Sequence, residues 1–91
     1  MNAMNSPLAA TPKLSRLFRM QWEEAQNAYV LLYPEGMVKL NQSAAEILTR
    51  CNGVSDVAAI IAQLEANFAQ TDLSSDVLAF VADARERGWL V

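Results

Sequence analysis

The sequence contains no histidine and a single cysteine, Cys51. Without histidine there is no Ser-His-Asp triad and no Cys-His dyad. One cysteine and no histidine cannot assemble a Cys₄ or Cys₂His₂ zinc site within one chain. An intramolecular disulfide is excluded too, which suits a reducing compartment such as the cytosol. Basic side chains are missing from Val54 to Ala84. Residues 54–91 therefore balance at −4, residues 1–53 at +1, and the whole chain at −3. Duplex binding needs clustered cations that displace counterions from phosphates, and attraction to a membrane surface needs a polybasic face. The second half provides neither. Apolar runs such as Val57–Ala62 fall far short of the roughly 18–20 residues of a membrane helix. Residues 1–15 carry no charge before Lys13 and no apolar core of signal-peptide length. No phosphate loop, dinucleotide-binding glycine pattern or paired metal cysteines occur.

What is present fits one small domain. The chain has 91 residues, 53% of them hydrophobic and 19% charged, enough for a single core. A domain of this size buries only ~60% of its unfolded surface, so its stability is modest.

Residues 1–15 hold Asn, Ser, Thr and two of the three prolines without an apolar period. They are expected to form a flexible N-terminal tail, with the folded domain over 16–91. Leu17–Trp22 alternates, with Phe18, Met20 and Trp22 on one face, and predicts a first strand. Glu23–Ala28 is a polar connection. Tyr29–Tyr33 is aromatic and aliphatic throughout and predicts a central strand. Pro34-Glu35-Gly36 has turn chemistry, and Met37–Leu40 returns as a third strand.

Asn41 is placed to cap a first helix, with Ser43 and Glu46 as an alternative capping box. Ala44, Ile47, Leu48 and Cys51 form its apolar stripe, and Asn52-Gly53 ends it. Ser55 is expected to cap a second helix with Val57, Ile60, Ile61, Leu64 and Phe68 inward. After the polar break Gln70-Thr71-Asp72, a third helix runs from about Ser74 to Arg87, with Val77, Phe80, Val81 and Ala84 inward. Gly88 ends it. All three glycines fall at junctions, a consistency that supports the boundaries. The order is three strands and then three helices. It predicts an α+β domain in which a three-stranded antiparallel sheet precedes three helices, winged-helix-like.

Each candidate for chemistry has a plainer role. Cys51 lies on an apolar stripe near a helix C-terminus, which disfavours a thiolate, so it reads as a small buried hydrophobe. The carboxylate pairs Glu23/Glu24, Asp72/Asp76 and Asp83/Glu86 read as solvated, helix-start or ion-pair charges. Asp83 and Arg87 have the i,i+4 spacing of a surface pair. Tyr29, Tyr33, Trp22 and Trp89 suit a small core better than base stacking, given the negative charge. No catalytic or metal-binding residue and no cofactor is expected.

The sheet edge is more informative. A three-stranded sheet exposes unpaired N–H and C=O groups at both edges. Met37–Leu40 is short and carries one charge, Lys39. With the third helix beside it, this edge forms a groove where an extended peptide adds as a fourth strand. The competing reading is an edge covered by the tail or by a second subunit, a homodimer. Proline at Val38 or Leu40 is expected to abolish peptide binding while the helices persist.

Tyr33-Pro34-Glu35-Gly36, followed by Leu40-Asn41-Gln42-Ser43-Ala44-Ala45-Glu46-Ile47-Leu48, resembles the PqqD family. The resemblance continues through Cys51-Asn52-Gly53, Val57–Leu64 and Asp76-Val77 with Phe80, and spans nearly all of 14–91. It implies a cytoplasmic, non-enzymatic peptide chaperone (a recognition element for ribosomally made, modified peptides) acting in pyrroloquinoline quinone biosynthesis. Its partners would be the precursor peptide PqqA and PqqE. The latter is a radical S-adenosylmethionine enzyme that cross-links a glutamate and a tyrosine of that peptide. The resemblance places the peptide between the third strand and the third helix, at Met37, Val38, Lys39 and Leu40 with Val77, Leu78, Val81 and Arg85. Two readings compete: a homo-oligomeric module using the same edge, and a winged-helix nucleic-acid binder, which would need a basic third helix.

Overall fold

β-Branched and aromatic residues between turn signals pair into one antiparallel sheet of order β1-β2-β3 in the computed structural model, which describes residues 6–91. β1 is Arg19–Glu23, β2 is Ala28–Tyr33 and β3 is Gly36–Lys39. Arg19 faces Leu32 and Glu23 faces Ala28 in the first pair; Val30 faces Lys39 and Tyr33 faces Gly36 in the second. The first hairpin closes through a 3₁₀ turn, Glu24–Gln26, and Asn27 at φ +50°. Asparagine tolerates that left-handed conformation better than most residues. Pro34 and Glu35 make the second turn without a positive φ. Gly36 follows with a φ of +155°, which favours glycine.

Three helices follow: α1 Gln42–Thr49, α2 Val57–Asn67 and α3 Ser74–Glu86. The Asn41 side chain caps α1 by accepting from the Ala44 N–H at 2.8 Å. α1 has eight residues, too few for a helix to persist alone in water. Packing holds it, with Ala44, Ala45, Ile47 and Leu48 buried.

The cap of α2 is Asp56, not Ser55: Asp56 Oδ1 accepts from the Ala59 N–H at 2.8 Å. Ser55 is drawn into the preceding turn, where Asn52 Oδ1 accepts from the Val54 and Ser55 N–H groups. Val57, Ile60, Ile61 and Leu64 are buried as expected. Phe68 is not; it is the C-terminal cap residue and stays 42% exposed, because the helix ends before its stripe reaches that far. α3 buries Val77, Val81 and Ala84, and Phe80 is half-buried.

The core joins Leu31 and Leu40 from the sheet region to Ile47, Leu48 and Cys51, then to Val57, Ile60, Ile61 and Leu64, and to Val77, Val81 and Leu90. Val57 and Ile60 are wholly inaccessible, each such burial being worth ~1.5–3 kcal/mol.

Residues 6–15 depart from the expected tail; its first five residues lie outside the described ones. Pro12 is fully buried, and Pro7–Ala9 form a 3₁₀ turn packed on α2. The Ala10 carbonyl accepts from Val57 N–H, the Pro12 carbonyl accepts from Gly53 N–H, and Lys13 pairs with Val91. The segment has no apolar period because it forms no regular element. It is held by backbone bonds to the helix junction and to the chain's far end, and composition does not register these. Gly53 sits beneath it at φ +79°, where a Cβ would come within 3.1 Å of the Lys13 side chain. No helix among the described residues is long and apolar enough to cross a membrane.

Candidate functional site

One hydrogen bond fixes which backbone groups of β3 are free. The Leu40 N–H donates to the Tyr29 carbonyl at 2.9 Å. Antiparallel ladders alternate, so the facing pairs Tyr29–Leu40, Leu31–Val38 and Tyr33–Gly36 exchange bonds. The N–H and C=O groups of Met37 and Lys39 then point away from β2, along an edge where no further strand of the described residues pairs. The same alternation on the other side ties Arg19, Gln21 and Glu23 to β2 and leaves the groups of Met20 and Trp22 outward along β1.

Side chains alternate across the sheet. On β3, Val38 faces the helices, half-buried against the core, while Met37 and Lys39 face away and are exposed. Leu78 of α3 is likewise half-buried against that core. Leu40, Val77 and Val81 are buried and belong to the support beneath the edge. Arg85 is exposed near the end of α3, close enough to Cys51 to act on its thiol. Of the eight residues singled out in the sequence, five therefore present surface: Met37, Val38, Lys39, Leu78 and Arg85. α3 packs principally on α2, and β3 on β2.

The alternation also changes the choice of proline substitution. Val38 and Leu40 direct their N–H groups into the ladder, so proline at either would damage the sheet itself. Met37 and Lys39 carry the groups an incoming strand would use.

Two clefts were not legible in the sequence. One, of about 260 Å³, lies among α1, the end of α2 and the start of α3, lined by Ile47, Leu64, Phe68, Val77, Glu46 and Asp76 with polar neighbours. The other, of about 470 Å³, lies between the β1–β2 hairpin and α1, with Trp22, Tyr29, Leu40, Ala45 and Glu46 on its walls. Trp22 and Tyr29 meet edge to face there, with ring centroids 5.2 Å apart, and remain 45% and 40% exposed. The sequence assigns both to a small core; the structure leaves them partly exposed on the wall of this cleft. Among the described residues no group of three His, Cys, Asp or Glu side chains could hold a metal.

Cys51 is buried, and its Sγ donates to the Ile47 carbonyl at 3.3 Å. Burial pushes its thiol from the ordinary 9.0 up to about 11, against a weaker downward pull from the Arg85 guanidinium. It is a packing residue. The Asp83–Arg87 pair forms as spaced, at 2.9 Å on an open surface, where it adds little.

Comparison with known proteins gives a concordant picture. A family model described as coenzyme PQQ synthesis protein D (PqqD) matches residues 28–90. A protein of Azotobacter vinelandii named PqqA binding protein is 56% identical over 80 residues, covering 87% of each chain. One of Stutzerimonas stutzeri with the same name is 49% identical over 84 residues, 91% of each chain. Among solved structures, the PqqD truncation of Methylobacterium extorquens PqqCD matches with a TM-score of 0.74 and 26% identity, over 93% of this chain and 97% of that one. That solution NMR structure is described as a functional, stand-alone recognition element for ribosomally synthesised and post-translationally modified peptides.

Proposed function

The chain belongs to the PqqD family, and on that premise we propose that it binds the precursor peptide PqqA as a fourth strand on β3 and presents it to PqqE. It is a binding protein, not an enzyme. The free backbone groups of Met37 and Lys39, beside the half-buried Val38, carry this reading, together with relatives named for binding PqqA. The peptide would register on Met37 and Lys39 and direct alternate side chains toward Val38 and Leu78. Lys39 and Arg85 would meet acidic residues of the peptide. The compartment we infer is the cytosol, where the lone thiol needs no partner.

Magnitudes show where affinity has to come from. Met37 and Lys39 offer four backbone groups, each bond worth ~0.5–1.5 kcal/mol net. Ordering a disordered peptide takes back about 2–5 kcal/mol. The two terms nearly cancel, so specificity and most net affinity rest on the apolar contacts at Val38 and Leu78 and on the two cations. PqqE would then engage surface the peptide leaves open.

An amide NMR titration with PqqA tests the reading. Saturable shifts centred on Met37–Leu40 and α3 support it. Shifts centred on Met20 and Trp22 would move the peptide to the opposite edge. An unchanged spectrum with PqqA, repeated with PqqE present, would refute it.

A further inference from the structure

The chain has one Asn-Gly dipeptide, Asn52-Gly53, at the junction of α1 and α2. An asparagine carboxamide is open to attack by the backbone nitrogen of the next residue, and glycine has no side chain to hinder that approach. The Gly53 nitrogen gives up its proton and bonds to Asn52 Cγ. The carboxamide nitrogen leaves with a proton as ammonia, and a succinimide ring joins the two residues. Water then opens the ring. Addition at the side-chain carbonyl gives aspartate. Addition at the main-chain carbonyl gives isoaspartate, in which the chain runs through the former side chain.

The fold prepares one reactant and withholds the other. Asn52 is exposed to water. Its Oδ1 accepts from the N–H groups of Val54 and Ser55, both at 2.8 Å. Two donors on that oxygen polarise Cγ and would stabilise the negative charge that builds on Oδ1 during attack. The nitrogen, by contrast, is tied. The Gly53 N–H donates to the Pro12 carbonyl at 3.0 Å, which keeps its proton from solvent base. Lys13 forms a bridge with Asn52, and its side chain lies across Gly53, within 3.1 Å of where a Cβ would stand. Asn27, Asn41 and Asn67 are followed by Ala28, Gln42 and Phe68, whose side chains hinder the same attack.

We propose that Asn52-Gly53 is a site of spontaneous deamidation, held closed in the native fold by the Gly53–Pro12 hydrogen bond and opened when residues 10–13 lift from the α1–α2 junction. The two products differ in consequence. Aspartate at this position keeps an oxygen for both N–H groups, so the turn persists. Isoaspartate adds a methylene to the main chain between the Asn52 Cα and the Gly53 nitrogen. Gly53 then no longer meets Pro12, and the segment cannot dock again. The site converts a passing opening into a permanent one.

Peptide mapping of the whole chain, incubated at mildly alkaline pH, tests it. Trypsin releases position 52 in the peptide 51–85, where both products are counted. In urea above the unfolding transition they should accumulate at Asn52 faster than at Asn27, Asn41 or Asn67. In the native chain conversion at Asn52 should be slower by about tenfold or more, since it waits for a local opening. Below the transition, added urea should raise that rate in step with hydrogen exchange of the Gly53 amide. Lys13→Gly strips the side chain that covers Gly53 and loosens the backbone there. It should speed native conversion roughly threefold or more, with circular dichroism confirming the fold. The isoaspartyl fraction should unfold faster than N52D, which stands for the other product. Native conversion as fast as in urea, a rate that ignores Gly53 exchange, or an isoaspartyl fraction as long-lived as N52D would each overturn the proposal. So would a folded Lys13→Gly chain that converts no faster than the wild type.

Discussion

The Leu40 N–H donates to the Tyr29 carbonyl, and this bond decides which residues of β3 can receive another chain. Lys39→Pro removes an outward N–H and leaves the β2–β3 ladder intact, and Met37→Pro does the same one pair earlier. Each is expected to weaken PqqA binding at least tenfold, ~1.4 kcal/mol or more, with little change in the urea midpoint. Val38→Pro takes the inward N–H and leaves the Leu31 carbonyl unpaired in the sheet. It should lower stability by about 1–3 kcal/mol. Calorimetric titration beside urea unfolding separates the two effects.

Asp56 and Ser55 are adjacent, yet only Asp56 caps α2. Asp56→Ala should cost about 1 kcal/mol of stability. Ser55→Ala should cost a few tenths at most, since its hydroxyl only accepts from Asn52 Nδ2 at 3.5 Å on the surface. Equal losses in urea unfolding would contradict the assignment.

The raised thiol pKa of Cys51 gives a signed pH dependence. Above pH 9 the unfolded chain loses the thiol proton while the folded chain keeps it, up to about 11. That contribution to stability is fully present below pH 9 and falls away as pH rises from 9 to about 11. The stability difference between wild type and Cys51→Ala should shrink across this window. At neutral pH the native thiol should resist iodoacetamide and react at the rate of unfolding.

Deleting residues 1–15 should be costly. It removes buried Pro12 and the backbone bonds that tie Ala10, Pro12, Lys13 and Ser15 to Val57, Gly53, Val91 and Trp89. Five such bonds at about 1 kcal/mol each put the loss at ~5 kcal/mol. Small domains hold only about 5–15 in all, so the truncated chain should melt far earlier, as differential scanning calorimetry would show.

The order of elements was legible because each junction carries its own local chemistry. Asn41 caps α1 through its own side chain, Gly36 and Gly53 have the backbone angles their turns require, and the helical stripes point as spaced. What escaped depended on distance. Ser55 and Asp56 have equal capping propensity, and only the Asn52 turn decides between them. Phe68 continues a stripe past the point where the helix stops. At the candidate site, residue types pointed to β3, but propensity treats Val38 and Lys39 alike. Which one offers its backbone outward is a property of register. Leu40, Val77 and Val81 were apolar enough for a groove, and packing drew them inside instead.

The pairing of Lys13 with Val91 has a kinetic consequence. It joins points at nearly opposite ends of the sequence, whereas the hairpins and the helix pairs join near neighbours. Closing so long a loop carries the largest entropic cost of any backbone hydrogen bond among the described residues, so it should form after the rate-limiting step. Substitutions along this seam should then accelerate unfolding and leave the refolding rate almost unchanged. The clasp between the two ends would thus govern how long the native state lasts, not how fast it is reached.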